Sequence, residues 1–199
     1  MSIPTRQTLL NRIKNAGDDT GWREFFDTYW RLIHNVALKA GLTETEAQDV
    51  VQETVLAVAK KMPTFKYEPG RDSFRGWLVQ LTRWKIADQF RKRLPVANPE
   101  TTTSGTRAIE RVADPAGSGF DAIWQDEWQR HIVAGALRAV KARVNTKQFQ
   151  IYHLHVVQDW PVEKVCRRLS VNAGQVYLAK HRIAGLMKRE VRRLQAGQP

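Results

Sequence analysis

The sequence has little cysteine: Cys166 is the only one among 199 residues. A lone cysteine cannot form an internal disulfide or a cysteine-rich zinc site, and it suits a reducing compartment. No stretch approaches the roughly 18 consecutive apolar residues that a membrane span needs. The first residues also lack the basic-then-apolar layout of a signal peptide. We therefore expect a soluble, cytoplasmic protein that does not associate with a membrane.

The sequence also lacks the patterns that carry catalysis. It has no Ser/His/Asp or Cys/His arrangement, no glycine-rich phosphate loop and no set of residues with metal-ligand spacing. His153 and His155 are two residues apart, which is the wrong spacing for one helical face. A nuclease would need clustered metal-binding carboxylates. We therefore predict no enzymatic activity, no cofactor and no metal.

Charge is plentiful and unbalanced. Lys and Arg number 32 against 20 Asp and Glu, a formal charge of +12, which favours a polyanionic partner such as nucleic acid. The net charge is +5 over residues 1–95, −1 over 96–120 and +8 over 121–199. The middle segment is rich in Gly, Pro, Thr and Ser and has little apolar periodicity. It is typical of a flexible linker between two basic modules.

Apolar periodicity makes the first module helical. It predicts helices over Trp22–Ala40, Thr43–Met62 and Phe74–Arg93, with Gly41 and Pro63 as natural stops. The second module follows the same 3.6-residue pattern. We therefore predict an all-α fold of two small helical domains joined by the linker.

The predicted helix over Thr43–Met62 carries a compact polar patch opposite its apolar stripe. Spacings of i, i+3, i+4 and i+7 place four side chains together: Asp49, Gln52, Glu53 and Leu56. A solvated helix face is one interpretation, and a metal site is disfavoured because no Glu-x-x-His partner exists. A docking surface for another protein explains the leucine among polar groups, since interfaces pair an apolar anchor with a polar rim.

Aromatic and basic residues alternate from residue 65 to 93. Flat rings stack on unpaired bases and cations follow phosphates, so the pattern favours single-stranded nucleic acid. The loop from Phe65 to Asp72 has the composition to hold a base taken out of its stack. The other interpretation, a buried core, applies to Phe74, Trp77, Leu78 and Leu81. The candidate single-strand contacts are Phe65, Lys66, Tyr67, Arg71, Arg83, Lys85 and Arg91.

The second module predicts a helix-turn-helix. After helices over Asp121–Val144 and Lys147–Val157, the latter capped by Thr146, a short helix begins at Pro161. A three-residue turn follows, and Asn172 then caps a longer basic helix. Cys166 provides the small residue where the two helices cross.

The longer helix carries candidate groups for reading duplex DNA. Gln and Arg read base edges in the major groove, while Lys contacts phosphate. A generic surface helix in a small bundle is the alternative. The candidate residues on its outer face are Gln175, Tyr177, Leu178, Lys180, His181 and Arg182.

The two modules, in this order, resemble the extracytoplasmic-function group of bacterial RNA polymerase sigma factors. AQDVVQETVLAVAKKM (47–62) is similar to the family's polymerase-binding helix, and FRGWLVQLTRWKIADQFRKR (74–93) to its promoter-melting helix. VEKVCRRLSVNAGQVYLAKHRIAGLMKRE (162–190) is similar to its reader of the upstream promoter element. The resemblance implies sigma domain two over 1–95, a linker over 96–120 and sigma domain four over 121–199.

The resemblance also implies partners: core RNA polymerase, promoter DNA and an anti-sigma protein. The patch around Asp49 would contact the clamp helices of the largest polymerase subunit, and the loop 65–72 would hold a flipped non-template base. Tyr177, Leu178 and Ala179 stand where relatives usually carry Lys, Ser and Arg, so the resemblance does not extend to promoter preference. The alternative is a conventional helix-turn-helix regulator that acts without polymerase docking. Such a regulator needs neither the melting stretch nor the docking patch.

Overall fold

The computed structural model describes residues 6–65, 74–93 and 118–196. Over these residues the chain forms eight α-helices and no β-strand, which confirms the all-α prediction. It divides into two compact units, an N-terminal unit (Pro4–His131) and a C-terminal unit (Ile132–Gly197). None of the described helices combines the length and the apolar character that crossing a membrane requires.

Over the described residues, the N-terminal unit is built from four helices and the start of a fifth. Asp18 caps α2, accepting a hydrogen bond from the Gly21 amide at 2.7 Å. Thr43 begins α3 with a capping box, in which its hydroxyl and the Glu46 carboxylate each accept from the other residue's backbone amide. The helices are α1 (Arg6–Arg12), α2 (Asp19–Lys39), α3 (Glu44–Lys61), α4 (Phe74–Lys92) and α5 (Ser118–Lys141), and a 3₁₀ turn (Met62–Thr64) follows α3.

An aromatic cluster joins α2 and α4 in the core of this unit. The Phe74 ring centroid lies 6.0 Å from that of Phe25 and 5.7 Å from that of Tyr29, both edge-to-face. Leu78 and Leu81 are also buried, as predicted, whereas Trp77 is only half-buried. The helix that the resemblance assigns to promoter melting is therefore anchored along one side.

The fifth helix starts earlier than the pattern predicts. It begins at Ser118, inside the predicted linker, and its first half belongs to the N-terminal unit up to His131. The earlier start is explained by the burial of three aromatic side chains: Phe120, Trp124 and Trp128 each leave at most 3% of their surface exposed. Such rings bury more apolar area than any other side chains. Residues 94–117, which include most of the predicted linker, lie outside the described residues.

The C-terminal unit holds the predicted helix pair. Its elements are the end of α5, then α6 (Thr146–Tyr152), a π turn (His153–Val157), α7 (Val162–Leu169) and α8 (Ala173–Ala196). Asn145, not the predicted Thr146, caps α6, because its side chain reaches the Lys147 amide at 2.8 Å. The predicted helix to Val157 ends as an α-helix at Tyr152 and continues as the π turn.

Helices α7 and α8 are joined by a three-residue turn. Ser170 takes a left-handed backbone with φ of +50° and ends α7. Asn172 then caps α8, accepting from the Gln175 amide at 2.8 Å. Val165, Val176 and Ala179 are buried between the helices, with Cys166 packed against them as predicted. The assignment of this pair as a helix-turn-helix stays a prediction.

Candidate nucleic-acid interface

The polar patch of α3 is divided by its contacts. Asp49 and Gln52 are exposed, and Leu56 leaves 61% of its surface exposed. Glu53 instead contacts Lys92 at 3.0 Å and Lys85 at 3.1 Å, and these two ammonium groups, Lys92 first, lower the pKa of its carboxyl group. The patch thus offers an apolar anchor with two free polar neighbours, while Glu53 ties α3 to α4.

The exposed face of α4 centres on Trp84. Its indole is 62% exposed. Gln80 and Arg91, four residues before and seven after, are also exposed and lie on the same face. A large ring left in solvent offers a surface on which an unpaired base can stack. Sequence reasoning placed Trp84 beside the core row but did not select it, because periodicity alone does not separate a covered ring from an exposed one.

The predicted cations of α4 all have anionic partners. Arg83 pairs with Asp121 and stands over the Phe120 ring, 4.7 Å from its centroid. Lys85 pairs with Glu53, and Arg91 pairs with Asp88 one turn earlier. These side chains are in the predicted helix, but none is an unengaged charge.

The predicted loop is described only at its first residue. Phe65 is half-buried, with its ring centroid 5.1 Å from that of Trp77 and 6.3 Å from that of Phe74. Its ring is therefore part of the aromatic cluster. Lys66, Tyr67 and Arg71 lie outside the described residues.

The outer face of α8 carries all six predicted residues in exposed positions. Leu178 leaves 72% of its surface in solvent. Four of the six line one groove, together with basic residues that precede or begin α6. The side chains are Gln175, Leu178, His181 and Arg182 from α8, with Arg143 and Lys147 across the groove.

Gln175 is a candidate DNA contact and also part of the N-terminal cap of α8, a role that the sequence analysis did not identify. Its side-chain oxygen accepts a hydrogen bond from the Asn172 amide at 3.0 Å, which completes a reciprocal cap at the start of α8. The amide NH₂ of Gln175 is left to donate to a base. The geometry thus orients the side chain at the helix N-terminus while keeping its donor available.

Over the residues that the structure describes, no group of three or more His, Cys, Asp or Glu side chains could hold a metal ion. The interface is instead a set of faces: an exposed leucine on α3, an exposed indole on α4 and an exposed basic groove beside α8. Such faces bind macromolecules rather than a small substrate.

The family model for sigma-70 region 2 matches residues 25–94, which include most of α2 and all of α3 and α4. The match covers both the α3 patch and the Trp84 face. Residues 25–94 are therefore similar to sigma-70 region 2 of RNA polymerase sigma factors. The match supports the sigma-factor prediction for this region, and the conventional regulator is not favoured.

Two solved structures are also similar to this chain. One is the 1.8 Å structure of an RsbN–BldN complex, with 19% identity over 90% of this chain and 97% of the other, at a TM-score of 0.35. The second is CnrH in complex with the cytosolic domain of CnrY, with 17% identity over 94% and 96% and a TM-score of 0.38. At those scores neither likeness carries an argument about the function of this chain. No curated protein matches the sequence.

Proposed function

We propose that the three faces divide the work of initiation. The α3 patch binds core polymerase, the Trp84 face of α4 holds the opened proximal element, and α8 reads the upstream element as duplex. In this proposal the chain works as an extracytoplasmic-function sigma factor in the cytoplasm, positioning the polymerase without catalysing a reaction. Binding by an anti-sigma protein stays a prediction.

The exposure of Leu56 within the matched region carries the docking part. An exposed leucine on a helix that already buries an apolar stripe has no role in the core, and interface anchors are apolar groups surrounded by polar ones. Polar neighbours of Leu56 lie on the same face of α3: Gln52 is one turn before it and Asp49 is two turns before it.

The proposed role of α4 is supported by the exposed ring of Trp84, and the proposed role of α8 is supported by the basic side chains of the groove beside it. An indole stacks on any unpaired base, which fits a helix that must hold melted DNA of varied sequence. The basic groove beside α8 fits phosphates on either side of a major-groove helix. The Trp84 face of α4 thus fits opened promoter DNA, and the groove beside α8 fits paired promoter DNA.

The docking surface is tested by Leu56→Ala with Gln52→Ala. Glu53 is left unchanged because its loss would also release Lys85 and Lys92 and disturb the α3–α4 contact. We expect the affinity for core polymerase to fall by about 2 kcal/mol, near thirtyfold, because an anchor and a polar neighbour are removed. Fluorescence anisotropy of labelled protein titrated with core polymerase measures it.

Leu178→Ala is the matched control, since it removes another exposed leucine from a helix that is assigned to DNA. It should leave core affinity unchanged and weaken only binding to the upstream element. Wild-type core affinity in the α3 variant, with an unchanged circular dichroism spectrum, would show that α3 is a solvated face. Transcription from a promoter library with core polymerase then reports whether each variant still directs initiation.

A further inference from the structure

The reciprocal cap at the start of α8 fixes the orientation of the Gln175 side-chain amide. Its oxygen accepts from the Asn172 backbone amide at 3.0 Å, while the Asn172 side-chain oxygen accepts from the Gln175 backbone amide at 2.8 Å. A backbone N–H only donates, so the end of the Gln175 amide that faces it is the oxygen. The NH₂ end is left over, and no residue of the described ranges accepts a hydrogen bond from it.

The position of Gln175 leaves this NH₂ group accessible to a large ligand. Gln175 is exposed and lines the groove beside α8. Ala173 and Gly174, which separate it from the cap residue, are also exposed and carry at most a methyl group. The first turn of α8 therefore has little bulk around Gln175, and a major groove about 12 Å wide admits such a helix.

A glutamine held in this way differs from a free glutamine in the bases that it can read. A free glutamine pairs with adenine through both ends of its amide, at N6 and N7. The oxygen of Gln175 already accepts from Asn172, so the side chain meets a base as a donor. Guanine, adenine and thymine each present an acceptor in the major groove, whereas cytosine presents only its N4 donor. Two donors that face each other stay unsatisfied when water is removed, which disfavours cytosine.

Leu178 adds an apolar group to the same reading surface. It follows Gln175 by three residues, a spacing that shares one helical face, and it leaves 72% of its surface exposed. Lys147 and Arg182 line the same groove, and neither pairs with a carboxylate among the described residues, which favours a polyanion as the ligand. On the major-groove edges of DNA, the apolar group is the C5-methyl of thymine.

We propose that Gln175 reads the upstream element as a hydrogen-bond donor, accepting any base except cytosine at one position, and that Leu178 selects thymine at a neighbouring position. This inference rests on the proposed role of α8 in reading duplex promoter DNA, and it names the base edges that this role requires. The cap thereby gains a second function. The hydrogen bond from Asn172 that stabilises the start of α8 also occupies the acceptor that adenine would use.

The test is selection from a pool of duplexes randomised over about ten base pairs, one helical turn. Holoenzyme assembled from the full chain and core polymerase selects the duplexes, and sequencing of the bound fraction gives the base preference at each position. We expect the wild type to deplete cytosine about tenfold at one position, the usual effect of one unfavourable base pair in a site. Thymine should be enriched at a neighbouring position, and Leu178→Ala should lose only that enrichment.

Gln175→Glu separates base reading from helix capping. A glutamate oxygen still accepts from the Asn172 amide, as in an ordinary capping box, so the Tm should not fall. The carboxylate is an acceptor only, so the variant should enrich cytosine at the position where the wild type depletes it. Gln195→Glu is the matched control. It adds the same charge at an exposed position of the same helix, 20 residues later, and should leave every base preference unchanged.

Three results would overturn the donor reading. The first is an unchanged base preference in Gln175→Glu, and the second is a uniform loss of affinity in that variant for all sequences, as added charge alone would cause. The third is enrichment of adenine above guanine and thymine by the wild type at the position of Gln175, because both ends of the amide would then be reading the base.

Failure of the proposed function gives a different result. If the wild-type holoenzyme forms but enriches no sequence from the pool, α8 does not read duplex DNA, and the donor reading fails with it. If a sequence is enriched and Arg182→Ala weakens its binding, but Gln175→Glu leaves its base preferences unchanged, then α8 reads DNA and only the donor reading is wrong.

Discussion

The two helices assigned to DNA differ in the state of their charges. The cations of α4 are engaged: Arg83 with Asp121, Lys85 and Lys92 with Glu53, and Arg91 with Asp88. On α8, by contrast, no ion pair joins Lys180 or Arg182 to another residue of the described ranges. Both helices are basic in sequence, but the candidate DNA-binding cations of α8 have no carboxylate partner among the described residues, whereas Arg83, Lys85 and Arg91 of α4 do.

This difference separates two ways of binding DNA. A free cation that meets a phosphate releases a counterion, which makes binding strong and dependent on salt. A cation already held by a carboxylate must first leave that partner, so its net contribution is smaller. We infer that α8 binds by charge and groove contacts, whereas α4 depends on the exposed ring of Trp84.

The largest expected effect tests the ring. Trp84→Ala should weaken binding of the polymerase holoenzyme to a promoter whose proximal element is opened by mismatches by about 1–3 kcal/mol, the contribution of one base–aromatic stack. Trp84→Phe should retain most of the affinity because it keeps a flat ring. Electrophoretic mobility shifts with the mismatched promoter measure both variants.

An upstream duplex without the proximal element serves as the control for Trp84, since only α8 should contact it. Trp84→Ala should bind that duplex as the wild type does. Equal losses of affinity for the mismatched promoter and for the upstream duplex would contradict the distinction between α4 and α8, because they would show that Trp84 contributes to folding rather than to DNA binding.

A smaller effect compares one cation from each helix. Arg182→Ala should weaken binding to all upstream sequences alike, by about tenfold, and reduce the salt slope by about one, because one phosphate contact is lost. Arg91→Ala should change the salt slope of its own promoter contact by less, because Asp88 already neutralises Arg91. Affinities at two salt concentrations with a set of single-base variants decide the matter.

Two results would contradict the roles assigned to Arg182 and Arg91. Relaxed preference at one base position would move Arg182 from phosphate contact to base reading. A full unit of salt slope lost in Arg91→Ala would show that the Asp88 pair does not persist on DNA.

The smallest effect concerns pH and the end of α4. Arg93 bonds the carboxylate of Glu46, with Nε to Oε1 at 2.6 Å, and together with the Thr43 amide lowers the pKa of Glu46 to about 2. A carboxyl group whose folded-state pKa is depressed stabilises the fold above its ordinary pKa of 4.5 and loses that contribution as the pH falls towards 2. Thermal unfolding from pH 5 to pH 2 should therefore show a modest fall in Tm that is reduced in Glu46→Gln. An identical pH profile in the variant would show that the contact contributes nothing to stability.

Much of the fold could be predicted from local pattern. The capping box at Thr43, the cap at Asn172 and the apolar stripes of α3, α4 and α8 lie within a few residues of one another in the chain. Short-range chemistry fixes such features, and here it gave the helices nearly to their ends. The exceptions, such as the cap at Asn145 and the π turn after Tyr152, depend on which of two neighbouring groups reaches the backbone.

The candidate faces could be predicted less completely. Periodicity selected the α3 patch and the outer face of α8, because an exposed face is the complement of a buried stripe. It did not show that Glu53 is tied to α4, that Gln175 serves the helix cap or that Trp84 is exposed. The Glu53 contacts depend on residues 30 to 40 positions away, and the exposure of Trp84 depends on which sides of α4 its neighbours cover. The Gln175 cap is local, since Asn172 is three residues earlier, and the spacing of these two residues is a signal that could have identified it.

By itself, the sequence determined the helical class, the basic character, the order of the motifs and the family to which they point. These are properties of composition and of spacing within single helices, where hydrogen bonds and apolar periodicity act over a few residues. Only the tertiary structure decided which charges remain available, because an ion pair such as Arg83 with Asp121 joins residues 38 positions apart. It also decided that the first half of α5 packs with the N-terminal unit, since the burial of Phe120, Trp124 and Trp128 depends on surfaces that exist only after α2 and α4 have folded together.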